Sequence, residues 1–268
     1  MSDFLALHRP GDPLLLPNPW DVGSTRLLES LGFRALATTS SGFAATLGRL
    51  DYSVTRDEAI AHAADIVGAT SLPVSADLEN GFADAPDAVA ETVRLAVGAG
   101  LAGCSIEDAT GRDEGPIYCL EHAVARVEAA AEAAHAGDAP FVLTARAENH
   151  LHGRDDLGDT IARLQAYEAA GADVLYAPGL VRIEEIREVV QSVGKPVNVL
   201  ARLHSPSVAE LAEAGVARVS VGGAFAFAAY GAAVEAAREL LDAGTYGFSA
   251  GSAVGAKATR AAFGQPTA

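Results

Sequence analysis

The sequence predicts a single (β/α)8 barrel, and three observations carry that prediction. Short β-type runs alternate with amphipathic helical segments, eight of each, along the 268 residues. A related glycine phrase recurs where helices hand over to strands: Gly98-Ala99-Gly100-Leu101, Ala169-Ala170-Gly171-Ala172 and Glu213-Ala214-Gly215-Val216. No second compositional regime interrupts the beat. Eight β–α alternations in one regime favour a closed parallel barrel over a doubly wound open sheet.

The elements follow in order. Leu14–Leu16 is an all-leucine run ahead of the helical segment Thr25–Leu31. Arg34–Thr38 leads into the turn Thr39-Ser40-Ser41-Gly42, and Arg56–Gly68 carries four helix-forming alanines. Val74–Asp77 precedes Pro86–Gly98, whose proline suits the first turn of a helix. Gly103–Glu107 is followed by Glu121–Ala136, and Phe141–Arg146 by Asp155–Ala170. Val174–Ala177 pairs with Ile183–Val193, Val197–Leu200 with Ser207–Ala214, and Arg218–Gly222 with Ala224–Leu241. Val-rich runs favour buried strands, and glycine at the joints fits the left-handed residue that ends a helix. Residues 1–245 form the barrel in this reading, and 246–268 a C-terminal tail or helix.

Composition excludes several functions. Against 19 basic residues stand 35 acidic ones, a net charge of −16, which argues against a surface built for nucleic acid or anionic lipid. Cys104 and Cys119 cannot form a disulfide framework and lack metal-ligand spacing. No signal peptide and no bilayer-length apolar stretch are apparent, so a soluble cytoplasmic protein is expected. The only lysines, Lys195 and Lys257, lie before the seventh strand and in the tail, out of reach of a Schiff-base role. No Gly-x-Ser-x-Gly elbow or Walker loop occurs.

Barrel chemistry sits where the strands end. The third strand delivers Asp77-Leu78-Glu79-Asn80-Gly81, the fourth Glu107-Asp108 and the fifth Arg146-Ala147-Glu148-Asn149. Two-residue spacing puts Asp77 and Glu79 on one side of a continuing strand, with Glu107 beside them. Three converging carboxylates repel unless a cation neutralises them, and oxygen-only ligands select Mg²⁺ or Mn²⁺. Arg146 emerges beside these acids, placed either to clamp a substrate carboxylate or to pair with Glu148 or Glu107. Thr39–Gly42 offers hydroxyls and N–H groups to an oxyanion, and Asn198 and Gly222-Gly223 complete the rim. His150 and His152 read as loop-packing residues rather than ligands.

In this order the motifs resemble the phosphoenolpyruvate mutase/isocitrate lyase superfamily over about nine-tenths of the chain. The similar stretches are Pro17-Asn18-Pro19-Trp20-Asp21, Thr39-Ser40-Ser41-Gly42 with Leu47-Gly48-Arg49-Leu50-Asp51, Asp77-Leu78-Glu79-Asn80-Gly81, Ser105-Ile106-Glu107-Asp108 and Thr144-Ala145-Arg146. The resemblance implies a Mg²⁺ site with Asp77 as direct ligand and Asp51, Glu79 and Glu107 acting through metal-bound waters. It implies that Arg146 binds a substrate carboxylate or phosphonate. Candidate catalytic residues are then Asp51, Glu107 and Arg146. Candidate substrate contacts are Trp20, Thr39, Ser40, Ser41, Asp77, Arg146 and Asn198. A homodimer or homotetramer with the last helix exchanged between subunits is also implied.

The superfamily's lyases carry a Lys-Lys/Arg-Cys-Gly-His lid after the Ile-Glu-Asp strand. Here that segment reads Ala109-Thr110-Gly111-Arg112-Asp113-Glu114-Gly115-Pro116, with Cys119 beyond it as a small packing residue. A shorter lid, hinged at Gly111 and Gly115 with Arg112 toward substrate, is the remaining possibility. The expected activity is a Mg²⁺-dependent lyase acting on a small 2-oxo or 2-hydroxy acid through an enolate. The alternatives are a phosphonopyruvate/phosphoenolpyruvate-type mutase or hydrolase and a non-catalytic 2-oxo-acid binder.

Overall fold

In the computed structural model, which describes residues 4–264, eight parallel strands form one sheet in the order β1-β8-β7-β6-β5-β4-β3-β2. They are β1 Leu14–Leu16, β2 Leu36–Ala37, β3 Val74–Asp77, β4 Gly103–Glu107, β5 Val142–Arg146, β6 Val174–Tyr176, β7 Val197–Leu200 and β8 Arg218–Ser220. The helices are α1 Val22–Ser30, α2 Ser40–Thr46, α3 Arg56–Gly68, α4 Pro86–Gly98, α5 Leu120–His135, α6 Leu157–Ala169, α7 Ile183–Ser192, α8 Val208–Glu213, α9 Ala224–Arg238 and α10 Ser249–Phe263. This is the (β/α)8 barrel that the alternation predicts. Its main core lies between strands and helices, centred on residues such as Leu143, Leu164, Leu175 and Ile186. Gly100, Gly171 and Gly215 all adopt positive φ, as the joint phrase requires. At Gly171, φ is +102°, and a Cβ would also approach Ala131 to 2.9 Å.

One seam of the barrel lacks a strand–strand ladder. After β1 come Pro17 and Pro19, which have no N–H to offer β2, so a single backbone bond, Ala37 N–H to the Pro17 carbonyl at 3.0 Å, bridges the strands. The buried Asn18 side chain substitutes for the rest. Its amide donates to the Thr38 carbonyl at 2.9 Å, and its oxygen accepts from the N–H groups of Val221 and Gly222 at 3.0 and 2.9 Å. Asn18→Ala strands those backbone groups, and we expect a loss of about 2–4 kcal/mol in urea unfolding.

A second apolar cluster (Phe4, Leu14, Leu16, Ala35, Ala37, Val142 and Val174) fills another part of the barrel. Phe4 belongs to it, ahead of a short 3-10 turn, Leu5–Leu7, that sequence periodicity is too short to reveal. His8 follows, with Nδ1 3.0 Å from the Phe4 carbonyl and Nε2 3.3 Å from an Arg218 nitrogen. That geometry calls for the neutral ring, and burial together with Arg218 pushes the His8 pKa down to about 3. His62 on α3 is stacked on Phe43 at 3.8 Å, has a buried Nε2 without a hydrogen-bond partner, and is pushed down by burial to about 4. Folded-state values below the unfolded 6.5 mean that the unfolded chain binds the extra proton. Stability from these rings is therefore present above pH 6.5 and lost as pH falls through 6.5 toward 4. His62→Leu should remove about 1.4 kcal/mol per pH unit from the slope in that window, read from unfolding curves at pH 5 and 6.5.

Two differences from the sequence reading concern helices. Thr39–Gly42 is not an open turn: Thr39 caps α2, its hydroxyl accepting from the Gly42 N–H at 3.3 Å. Within 246–268, α10 packs on α1 of its own chain, Phe263 lying beside Gly23, and exchange between subunits is not shown; Gln265–Ala268 lie outside the described residues. Cys104 is buried as a small core residue, but Cys119 is exposed rather than packed, because it stands at the N-terminal boundary of α5. Among the described residues no helix is long and apolar enough to cross a membrane.

Candidate active site

Strand register brings the chemistry to one level. Glu107 on β4 pairs with Arg146 on β5, Arg146 with Tyr176 on β6, Tyr176 with Asn198 on β7, and Asn198 with Arg218 on β8. The two-residue alternation of each strand turns these side chains, with Ser75, Asp77, Ser105, Thr144 and Ser220, to the same face. All of these except Glu107 and Thr144 line a cavity of about 230 Å³, together with Asp51 and the hydroxyls of Thr39, Ser40 and Ser41 among others. A wider cleft of about 650 Å³ adjoins it between Tyr52, Glu79, Asp84 and Gly111. The inner cavity is the better candidate, because both guanidiniums and the hydroxyl row face it.

Arg146 is the hub. Its Nη1 lies 2.8 Å from Asp77, Nη2 3.0 Å from Glu107 and Nε 2.8 Å from Glu148, while its Cζ stands 5.1 Å from the Tyr176 ring centre. The pairing with Glu148 and Glu107 foreseen as one alternative is present, and Asp77 joins it. Glu107 and Glu148 are fully buried; burial pushes both carboxyls above the usual range, Glu148 adding to the rise of Glu107 and Asp108 to that of Glu148, while Arg146 pulls them back. The same three acids hold Arg146 firmly charged. Asp108 steadies the platform from behind: it accepts the Glu148 N–H at 2.8 Å, Arg163 at 3.0 Å and the Tyr167 hydroxyl at 2.6 Å.

Asp77 is tied on its other oxygen by the Ser40 N–H at 3.2 Å and hydroxyl at 3.0 Å. Glu79 does not share a strand with it. The strand ends at Asp77, and Glu79 sits at φ +49° in the following loop, so two-residue alternation does not apply. It is nevertheless buried nearby, and burial with the charges of Asp77 and Asp51 pushes it up to about 8. Asp51, at the exposed rim, is raised by burial of its carboxyl and by Asp77. Glu79, Glu107 and Trp20 are not part of the inner cavity's lining; the Trp20 Cβ lies against Gly42.

No three of the described His, Cys, Asp and Glu side chains stand as a ready-made ligand set. The donor chemistry still fits a hard cation: Asp51, Asp77 and Glu79 are all oxygen donors and repel one another, and only Asp77 is paired with an arginine. A cation that keeps several waters needs few direct protein ligands.

The sequence model of the phosphoenolpyruvate phosphomutase family matches residues 4–241. The chain belongs to that family. It is thus a member of the phosphoenolpyruvate mutase/isocitrate lyase superfamily, as the ordered motifs imply. A Burkholderia cenocepacia crystal structure provisionally assigned as a lyase/mutase is 55% identical, with a TM-score of 0.94 over 99% of this chain and 96% of that one. The crystal structure of 2,3-dimethylmalate lyase is 30% identical, with a TM-score of 0.79 over 89% of this chain and 85% of that one. The 2-methylisocitrate lyase of Escherichia coli is 29% identical over 72% of this chain and 70% of its own.

This phosphomutase-family chain departs from the reading of its lid. Ala109 and Ile117 pair in an antiparallel bridge, with Gly111 and Gly115 at φ +69° and +63°. Arg112 turns to Asp84 at 2.9 Å rather than toward the cavity. Tyr52, absent from the candidate set, adopts φ +60° and donates its hydroxyl to Glu107. Arg218 was also missed, and Glu148 was foreseen only as a partner of Arg146. Tyr52 carries no motif of its own, whereas Arg218 had a signal: a charged residue opening a β-type run.

Proposed function

We propose that this protein is a Mg²⁺-dependent lyase that cleaves a carbon–carbon bond, or decarboxylates, a small 2-oxo or 2-hydroxy carboxylic acid. The observation that carries this reading is the charge balance around the small cavity: Asp51, Asp77, Glu79, Glu107 and Glu148 against only Arg146 and Arg218. Such a site holds a divalent cation and an anionic substrate together. Asp77 is the direct ligand in this reading, with Asp51, Glu79 and Glu107 acting through water. When bound, the cation supplies positive charge against an oxygen that becomes negative as the bond breaks.

The chain's own residues do the rest. Ser40 holds the Asp77 carboxylate in place. Arg146 holds three acids in fixed orientation beside the cavity and balances their charge. Decarboxylation of a 2-oxo acid releases CO2 and leaves the bonding electrons as an enolate, which a proton from water at the open rim quenches. Cleavage of a 2-hydroxy acid also turns its C–OH into a carbonyl and passes the hydroxyl proton to that water. Removal of divalent metal with EDTA should abolish turnover in proton NMR with a panel of 2-oxo and 2-hydroxy acids, and Mg²⁺ should restore it. Turnover that survives EDTA sinks the proposal, and a phosphorus NMR change with phosphonopyruvate redirects it to the mutase class.

The same reading includes self-association. Phe227, Tyr230 and Val234 on α9 and Tyr246 and Val254 beyond it are exposed. Light scattering should give a dimer or tetramer.

A further inference from the structure

Arg218 is a buried cation for which the described residues supply no counter-charge. It opens β8 and is only 3% exposed. Its Nε donates to the Asn198 oxygen at 2.9 Å, and Nη1 donates to the Thr144 hydroxyl at 3.1 Å and meets the His8 ring at 3.3 Å. All three partners are neutral. No carboxylate of the described residues lies within ion-pair distance of it, in contrast to Arg146, which has three. Tyr176 offers no charge either, since burial pushes its phenol up to about 12. Burial and the neighbouring Arg146 bring Arg218 down only to about 10, which leaves it cationic at neutral pH.

An unpaired buried guanidinium is costly, and proteins normally provide it with an anion. Arg218 also lines the inner cavity, and its Nη2 hydrogen bonds to none of the described residues. Arg146 spends three of its five N–H groups on three acids that already balance its charge, whereas Arg218 faces the cavity with its charge unbalanced by the described residues. Arg218 starts three strands from Arg146, beyond Tyr176 and Asn198 in the strand register, and its guanidinium reaches across to Thr144, two residues before Arg146 on β5.

We propose that Arg218 binds a carboxylate of the substrate, and that the substrate is therefore a short dicarboxylate, held at one end by Arg218 and reacting at the other beside Asp77. This rests on the reading of the cavity as a small-acid site and narrows its substrate class. A cavity of about 230 Å³ lies below the range of drug-sized pockets and suits such an acid. Asn198 and Thr144 are positioning residues, which fix the guanidinium plane while Nη2 faces the ligand.

Succinate and butyrate test it, because they share a chain length, differ by one carboxylate, and carry no 2-oxo or 2-hydroxy group to react. Calorimetry and ligand-observed NMR should show that the wild-type protein prefers succinate by about a hundredfold. Arg218→Met should bring the ratio to near one by weakening succinate alone, and Arg218→Lys should retain part of it. A purely structural role would weaken both ligands together. Equal wild-type affinities overturn the proposal, as does a preference that survives in Arg218→Met. If the methionine variant does not fold, the wild-type ratio and a drop of tenfold or more in Arg218→Lys decide the question. Neither ligand can turn over, so a failure of the lyase reading, seen as absent turnover, remains distinct from a failure of this one.

Discussion

Arg146→Met is expected to lose about 3–5 kcal/mol of stability at pH 7 and all measurable turnover. The guanidinium faces Asp77, Glu107 and Glu148 at 2.8–3.0 Å, and the two glutamates are only 3% and 2% exposed. Removing the cation leaves buried like charges, the situation in which breaking an ion pair is most destabilising. The loss should depend on pH. Burial and neighbouring acids already hold Glu107 and Glu148 above the usual carboxylate range, and without Arg146 they rise further. A folded-state pKa above the unfolded value means that the folded protein binds the extra proton, so stability falls as pH rises from about 4.3 through the raised values. Relative to wild type, the variant should therefore recover part of its loss at pH 5. Urea unfolding at pH 5 and 7 reads this directly, and an identical deficit at both would remove the charge-burial explanation.

Asp77→Ala separates activity from stability. Its carboxylate is 19% exposed and lies among like charges, and burial and its charge push both Glu79 and Asp51 upward. Deleting it relieves that repulsion, while Arg146 keeps its two buried partners. The variant should thus match or exceed wild-type stability in EDTA. Charge stabilisation by a bound metal is worth several kcal/mol, and each 1.36 kcal/mol is tenfold in rate, so turnover should fall about a thousandfold. Thermal melts supply a second readout. Mg²⁺ should raise the wild-type midpoint by linkage and leave that of Asp77→Ala unmoved. Equal Mg²⁺ stabilisation of both proteins, or turnover within tenfold of wild type, would contradict the assignment of Asp77 as ligand.

Short-range rules made the barrel legible. Runs such as Leu14–Leu16 and Val174–Tyr176 are apolar and β-prone enough to call for burial in a sheet, Thr55 and Glu58 form a reciprocal cap that starts α3, and Gly171 can adopt the φ of +102° that its joint requires. These are consequences of neighbours along the chain, so strand β1 and the start of α3 fall where the sequence puts them. The positions of Asp77, Glu107 and Arg146 at strand ends were legible for the same reason.

What the sequence by itself determined is therefore the succession of elements, the carboxylate-rich strand ends and the family. What only the tertiary structure decided is which charges face one another. Arg146 reaches Asp77 across 69 residues, Tyr52 reaches Glu107 across 55, and Arg218 meets His8 across 210. Asn18 likewise closes a seam between chain segments 203 residues apart. Periodicity can assign a side chain to the interior, but Coulomb energies and hydrogen bonds depend on distances that exist only once the barrel has closed. For that reason the sequence marked Arg146 as a residue of interest, whereas the closed barrel sets three acids around it and, among the described residues, none against Arg218.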